Sequence, residues 1–296
     1  MTEESKNPLE IRCSACGAPA EFDIIHQIYQ CRYCGQKVDA NEPVERLKKW
    51  RALKRRHSGV NSGDIHPSVH ICKNCGAEIL IPEGEAVGRC EFCGGNLVRR
   101  AFTFRDNLPE VFIPFVLTEK EASERLTAWA LKNKRTKEAG WVEKNIKSLK
   151  GYYLPYQIVK GPVRCTVFRD QAFSGKKYIC GSFINGMAVN TSNQLDNMVL
   201  DHAEPFDWKG TVPFEFGYIA GQRVKLPDIS GGAAEQRVLE EVEADYLPIV
   251  EKVMETSGVK LHAKGENLLS IPALLPLYII CLLYTSDAAD DGESVD

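Results

Sequence analysis

The chain has 296 residues, 44% of them hydrophobic and 26% charged, which gives room for two or three domains with a proper core. Its formal charge of −3 argues against a protein that binds polyanions by bulk charge.

Four Cys-x-x-Cys pairs fall in the first hundred residues, as two copies of one unit. Cys13 and Cys16 are followed, after fourteen intervening residues, by Cys31 and Cys34. Cys72 and Cys75 are followed, at the same spacing, by Cys90 and Cys93. A tetrahedral zinc ion needs four soft donors converging on one point. Each Cys-x-x-Cys turn supplies two, and a short hairpin returns the second turn to the first. Gly17, Gly35, Gly76 and Gly94 each follow a second cysteine, where such a knuckle often needs a positive φ. The alternatives are a disulfide framework or redox dithiols. The polar opening MTEESKNPLE lacks a charged region followed by an apolar one, so a cytoplasmic location with reduced, metal-bound thiols is expected. With four cysteines per ion neither zinc has an open position, so both are expected to be structural.

The first ribbon is expected over 9–40, with strands at Ala20 to Ile24 and Ile28 to Cys31. A helix and linker follow over 41–67. Val44, Leu47, Trp50 and Leu53 form its apolar stripe, and Arg46, Lys48, Lys49, Arg51, Lys54, Arg55 and Arg56 surround it. Those cations read either as a nucleic-acid contact or as the solvated face of a connecting helix. His57, His66 and His70 read as loop histidines, a further metal site being the alternative. The second ribbon is expected over 68–100, with strands at Ala77 to Ile81 and Ala86 to Cys90.

From about residue 108 to 280 the pattern is that of an α+β domain, making the whole two small β-hairpin zinc ribbons followed by a mixed α+β body. Val111 to Leu117 reads as a strand, and Thr118-Glu119-Lys120-Glu121 as a capping box. A helix then carries Ala122, Leu126, Trp129 and Ala130 to about Lys134, with a shorter one from Trp141 to Leu149. Strands follow at Tyr152 to Val159, Val163 to Phe168, Lys177 to Phe183 and Met187 to Val189, with turns at Ser174-Gly175 and Asn185-Gly186. Cys165 and Cys180 read as small apolar strand residues.

The aromatic residues Phe206, Trp208, Phe214, Phe216 and Tyr218 read as core rather than as a groove. Ala233 to Val253 reads as a helix kinked or broken at Pro248. Four apolar-Pro-apolar triplets, at Pro114, Pro155, Pro213 and Pro276, suggest strand edges or bulges. Leu268 to Leu283 has the apolarity of a short membrane span. However, residues 281–291, CLLYTSDAADD, resemble the translation of a sequencing adapter, so 281–296 is expected to be an artefactual tail on a truncated body. What remains, Ile271 to Ile280, is half a span and reads as a buried strand. Without the five acids of that tail the formal charge moves from −3 to +2. Eight thiolates and two zinc ions bring it to about −2.

No phosphate-binding loop, His-Glu-x-x-His or Gly-x-Ser-x-Gly motif occurs in the sequence. The pair of ribbons, IPFVLTEKEA, KGYYLPYQIV, PFEFGYIAGQ and the helix ending EADYLPIVEKVM together resemble a bacterial family of double zinc-ribbon proteins, over most of residues 10–280. Its members are labelled TFIIB-type zinc-ribbon proteins or, loosely, primosomal helicase-like proteins. The resemblance implies structural zinc at the eight cysteines and no particular activity. In the family, the segment resembling LLPLYII leads into another β unit and, in some members, membrane helices. The expected function is a non-enzymatic zinc protein that binds a protein partner. The alternatives are nucleic-acid binding through the basic helix, or an enzyme with a site in the α+β body.

Overall fold

A computed structural model describes residues 10–57, 68–74, 78–81, 89–90, 95–100, 109–169, 177–192, 206–214 and 223–280. The first ribbon is an antiparallel three-stranded sheet of β1 (Ala20–Asp23), β2 (Ile28–Cys31) and β3 (Lys37–Val38). Helix α1 (Glu42–His57) leaves it. Strands β4 (Ser68–Cys72), β5 (Glu78–Ile81) and β6 (Leu97–Arg100) belong to the second ribbon segment. The body adds β7 (Val111–Phe112), α2 (Glu119–Lys132), α3 (Lys137–Asn145), β8 (Leu149–Arg169), β9 (Lys177–Asn190), β10 (Val212–Pro213), β11 (Val224–Lys225), α4 (Gly231–Val253), β12 (Val259–Gly265) and β13 (Leu269–Ile280).

The long strand β8 organises everything else. On one edge it pairs antiparallel with β13 along Leu149 to Lys160 and then with β12 along Val163 to Arg169. On its other edge it pairs with β9 from Tyr156 to Phe168. Before β9 begins, β11 runs parallel to β8 at Tyr153 and passes the sheet on to β5, β4 and β6. The second ribbon segment is therefore continuous with the sheet of the body.

Side-chain alternation along β8 makes that sheet the middle layer. Tyr152, Leu154, Tyr156 and Ile158 share one buried cluster with Ile11, Tyr29 and Val38 of the first ribbon and Leu47 of α1. Val159, Val163 and Cys165 face the other way, against Ala234, Val238 and Val242 of α4. Three residues of the α1 stripe thus pack on the core, Val44 and Trp50 partly buried beside Leu47, while the side chain of Leu53 lies outside the description.

Several elements differ from their expected form. The expected Val111–Leu117 strand is only two residues long, and Pro114 follows one residue after the Ile113 amide donates to the Leu274 carbonyl. The strands expected on either side of Gly161-Pro162 are one 21-residue strand. The Pro162 carbonyl accepts from Glu266, at the corner where β13 gives way to β12, so its missing N–H falls outside both ladders. The short helix begins at Lys137 rather than Trp141, because Thr136 caps it by accepting from the Ala139 amide. The last helix begins at Gly231, capped by Ser230, and runs through Pro248 without a break.

The Asn185-Gly186 hairpin is overturned, for β9 continues straight through it. Val159 pairs with Met187 and Lys160 with Asn185, which leaves Gly186 as the extra residue of a β-bulge. A type I′ turn needs positive φ at both residues, whereas here only Gly186 has it, at +86°. The expected Ser174-Gly175 turn lies outside the described residues. The apolar 271–280 segment is strand β13, buried over its first half, and no helix among the described residues is long and apolar enough to cross a membrane.

Candidate metal centre

Cys13, Cys16, Cys31 and Cys34 converge, with all four sulfurs within 4.8 Å of one another. The Cys13 and Cys34 sulfurs are 3.6 Å apart and the Cys16 and Cys31 sulfurs 3.5 Å. A zinc tetrahedron with Zn–S bonds of about 2.3 Å has edges of about 3.8 Å, so the donor set fits that ion closely.

Local sequence explains the geometry. The Gly17 amide donates to the Cys13 carbonyl and the Gly35 amide to the Cys31 carbonyl, each at 2.9 Å. Both glycines carry the positive φ that this turn demands, +73° and +71°. Each knuckle then closes with a further bond, Cys13 N–H to the Ala18 carbonyl and Cys31 N–H to the Gln36 carbonyl. Cys13 and Cys31 are buried while Cys16 and Cys34 are exposed, so the quartet is reachable from one side.

Without metal, the thiols of Cys13, Cys16 and Cys31 are electrostatically unequal. The Cys34 amide points at Cys31 and is the main cause that brings its thiol down to about 7. Cys13 is lowered likewise, first by the Cys16 amide. For Cys16 the largest single influence is the Ala18 amide, which lowers it. The neighbouring sulfurs of Cys34 and Cys31 outweigh that influence and push Cys16 up to about 12. Sulfurs this crowded share protons, and a divalent cation that replaces them relieves the repulsion. Four thiolates would fill a tetrahedral shell and leave no place for water, so the quartet suits a structural metal.

In the second unit, Cys72 and Cys90 are buried to 1% exposure, while Cys75 and Cys93 lie outside the described residues. The Cys90 N–H bonds the Gly95 carbonyl at 2.7 Å, the same five-residue closure made by Cys13 and Cys31. Arg89 bridges Asn96 just as Arg12 bridges Pro19, one residue before the first cysteine of a knuckle in each case.

The basic residues of α1 are not a uniform solvent-facing set. Arg46 pairs with Glu42 and donates to the Arg12 carbonyl at 2.7 Å. Lys48 pairs with Glu45 at 2.9 Å. Arg51 forks onto Glu110, with Nε 2.6 Å from Oε1 and Nη2 3.2 Å from Oε2, and also donates to the Ser270 carbonyl. Glu110 and Ser270 were not legible as its partners, since they lie 59 and 219 residues away. The side chains of Lys54, Arg55, Arg56 and His57 lie outside the description, as does His66. His70 lies in β4 rather than in a loop. Phe206, Trp208 and Phe214 pack against the buried clusters, while Phe216 and Tyr218 lie outside the described residues.

The chain is similar to the uncharacterized protein YdjG of Bacillus subtilis (strain 168), with 24% identity over 196 residues, or 60% of this chain. It spans 58% of that relative's length. No protein-family profile matches the chain. No solved structure matches it at a significant level. The molecule is thus a mixed α+β protein, distantly similar to an uncharacterized one, with an N-terminal four-cysteine group able to hold a metal such as zinc.

Proposed function

We propose that this protein is a non-enzymatic, cytoplasmic scaffold with two structural zinc ions, presenting its ribbons (9–40 and 68–100) and body (108–280) to a protein partner. The observation that carries the reading is the closed quartet of Cys13, Cys16, Cys31 and Cys34, whose donors fit a metal and leave no vacancy for catalysis. The second zinc, at Cys72, Cys75, Cys90 and Cys93, is supported by the repeated knuckle closure at Cys90. Elemental analysis of protein purified under reducing conditions is expected to give two zinc atoms per chain. A value near one removes the second site, and a value near zero removes both.

The partner surface is tested by photocrosslinking from the exposed Ile25 and Tyr33 on the ribbon. Capture of a protein is expected, and capture of RNA or DNA instead would overturn this reading. Nucleic-acid binding by α1 is the weaker alternative, because Arg46 and Arg51 are already engaged with carboxylates and backbone carbonyls. It requires an affinity that falls steeply with salt and is lost when Lys49, Lys54, Arg55 and Arg56 are neutralised.

A further inference from the structure

Cys165 and Cys180 lie directly opposite each other on β8 and β9. The Cys180 thiol donates to the Cys165 carbonyl at 3.7 Å, and the two side chains share the α4 face of the sheet. Cys165 is fully buried beside Val238 and Val242, while Cys180 is exposed. Burial, and then the neighbouring Cys180 sulfur, raise the Cys165 thiol to about 11, so it is held protonated.

Directly opposed residues of an antiparallel pair have Cα atoms about 4.5 to 5.5 Å apart. That lies within the span of about 4.4 to 6.8 Å that a disulfide bridges. We propose that Cys165 and Cys180 are a redox modification site, closed to a cross-strand disulfide by a hydroperoxide. The exposed Cys180 thiolate attacks the peroxide oxygen, breaking the O–O bond; it becomes a sulfenic acid, and the other oxygen leaves as hydroxide or alkoxide. The Cys165 sulfur then attacks the sulfenic sulfur, its proton passes to the departing oxygen, and water is released. Two thiols are oxidised and one peroxide is reduced. The cross-link pins the exposed outer end of β9 to the buried strand, and cellular thiols reverse it. This pair stands apart from the ribbon quartet and does not depend on its metal.

The test treats the full, metal-loaded chain with one equivalent of hydrogen peroxide, alkylates it under denaturing conditions and digests it with trypsin. The expected product joins the peptide Cys165–Arg169 to the peptide Tyr178–Lys209, is two hydrogens lighter than their sum, and separates on reduction. Zinc release, followed in parallel, separates this reaction from oxidation of the ribbon. In Cys180→Ser, an exposed and tolerable change, Cys165 should stay reduced at the same dose. Over-oxidation of Cys180 beside a reduced Cys165 would overturn the proposal, as would oxidation of Cys165 in the Cys180→Ser protein.

Discussion

Phe22 of the first ribbon stacks on Phe183 of β9, with ring centroids 4.8 Å apart and planes 17° apart. Tyr29 meets both rings edge-on, at 4.9 Å and 6.0 Å. The ribbon is therefore not an appendage that only a metal at its four cysteines could hold. One face carries the four sulfurs, and the other carries an aromatic cluster shared with the body.

That stack should be measurable as a coupling. Phe22→Ala and Phe183→Ala are each expected to destabilise the protein by about 2 kcal/mol, less than a full core truncation because both rings are only partly buried. The double variant should recover about 1 kcal/mol of the summed losses, since the second change no longer breaks an intact pair. Urea denaturation of the four proteins gives the value, and strict additivity would mean that the rings do not interact.

The two interfaces of the ribbon predict different consequences for metal loss. In Cys16→Ser the first site lacks one of its four donors, and metal bound there should be lost on mild chelation. Hydrogen exchange should then show lost protection in β1 to β3, while β8 and β13 keep theirs. Loss of protection throughout β8 would show instead that the metal supports the whole core.

Glycines separate backbone strain from packing. Gly17 and Gly140 both have open space where a Cβ would go, but only Gly17 has a positive φ. Gly17→Ala is expected to cost about 1 kcal/mol in the metal-loaded protein. Gly140→Ala, inside α3, is expected to stabilise by about 0.5 to 1 kcal/mol through helix propensity and a less flexible unfolded chain. Thermal melts read both, and the same sign for the two would refute the argument.

What could be read from the sequence was local. The quartet around Cys13 follows from spacing alone, since two knuckles and a hairpin leave little freedom. The capping box at Thr118 follows in the same way, as do the α1 stripe and the strand over 271–280. Register was hidden. The Asn185-Gly186 pair looked like a turn because turns and bulges use the same left-handed glycine, and only long-range pairing decides between them. Its consequence is large: without the extra residue at Gly186, Cys165 would face Gly181 instead of Cys180. The tether of Arg51 to Glu110 was equally invisible, because a cation on a helix gives no sign of which distant carboxylate it meets.

Arg51 and Lys48 should accordingly behave differently. Arg51 and Glu110 are 31% and 17% exposed and share a forked pair, whereas Lys48 and Glu45 are 65% and 55% exposed. Arg51→Ala is expected to cost about 1 to 3 kcal/mol, because it also leaves the Glu110 carboxylate poorly paired. Lys48→Ala should change stability by less than about 0.5 kcal/mol. Equal effects would show that the Arg51 fork contributes no more than a surface pair.

The capping box gives α2 a pH dependence of known sign. Glu121 accepts from the Thr118 amide and hydroxyl, both at 2.8 Å, and Thr118 accepts from the Glu121 amide. The Thr118 amide, and then its hydroxyl, hold the Glu121 carboxyl below its ordinary value. A carboxylate lowered in the folded state stabilises fully above its unfolded pKa of about 4.3, and that stabilisation is lost as pH falls through the lower folded value. Glu121→Gln is therefore expected to be less stable than the parent at neutral pH. The gap should shrink below about pH 4 and close once the native carboxyl is protonated. Thr118→Ala removes the cap itself and should cost about 1 kcal/mol. It should also narrow, without abolishing, the difference between Glu and Gln at position 121, because the hydroxyl donor is lost while the amide donor remains. Urea titrations of the single and double variants across that pH range measure both effects, and a gap that widens on acidification would reverse the assigned sign.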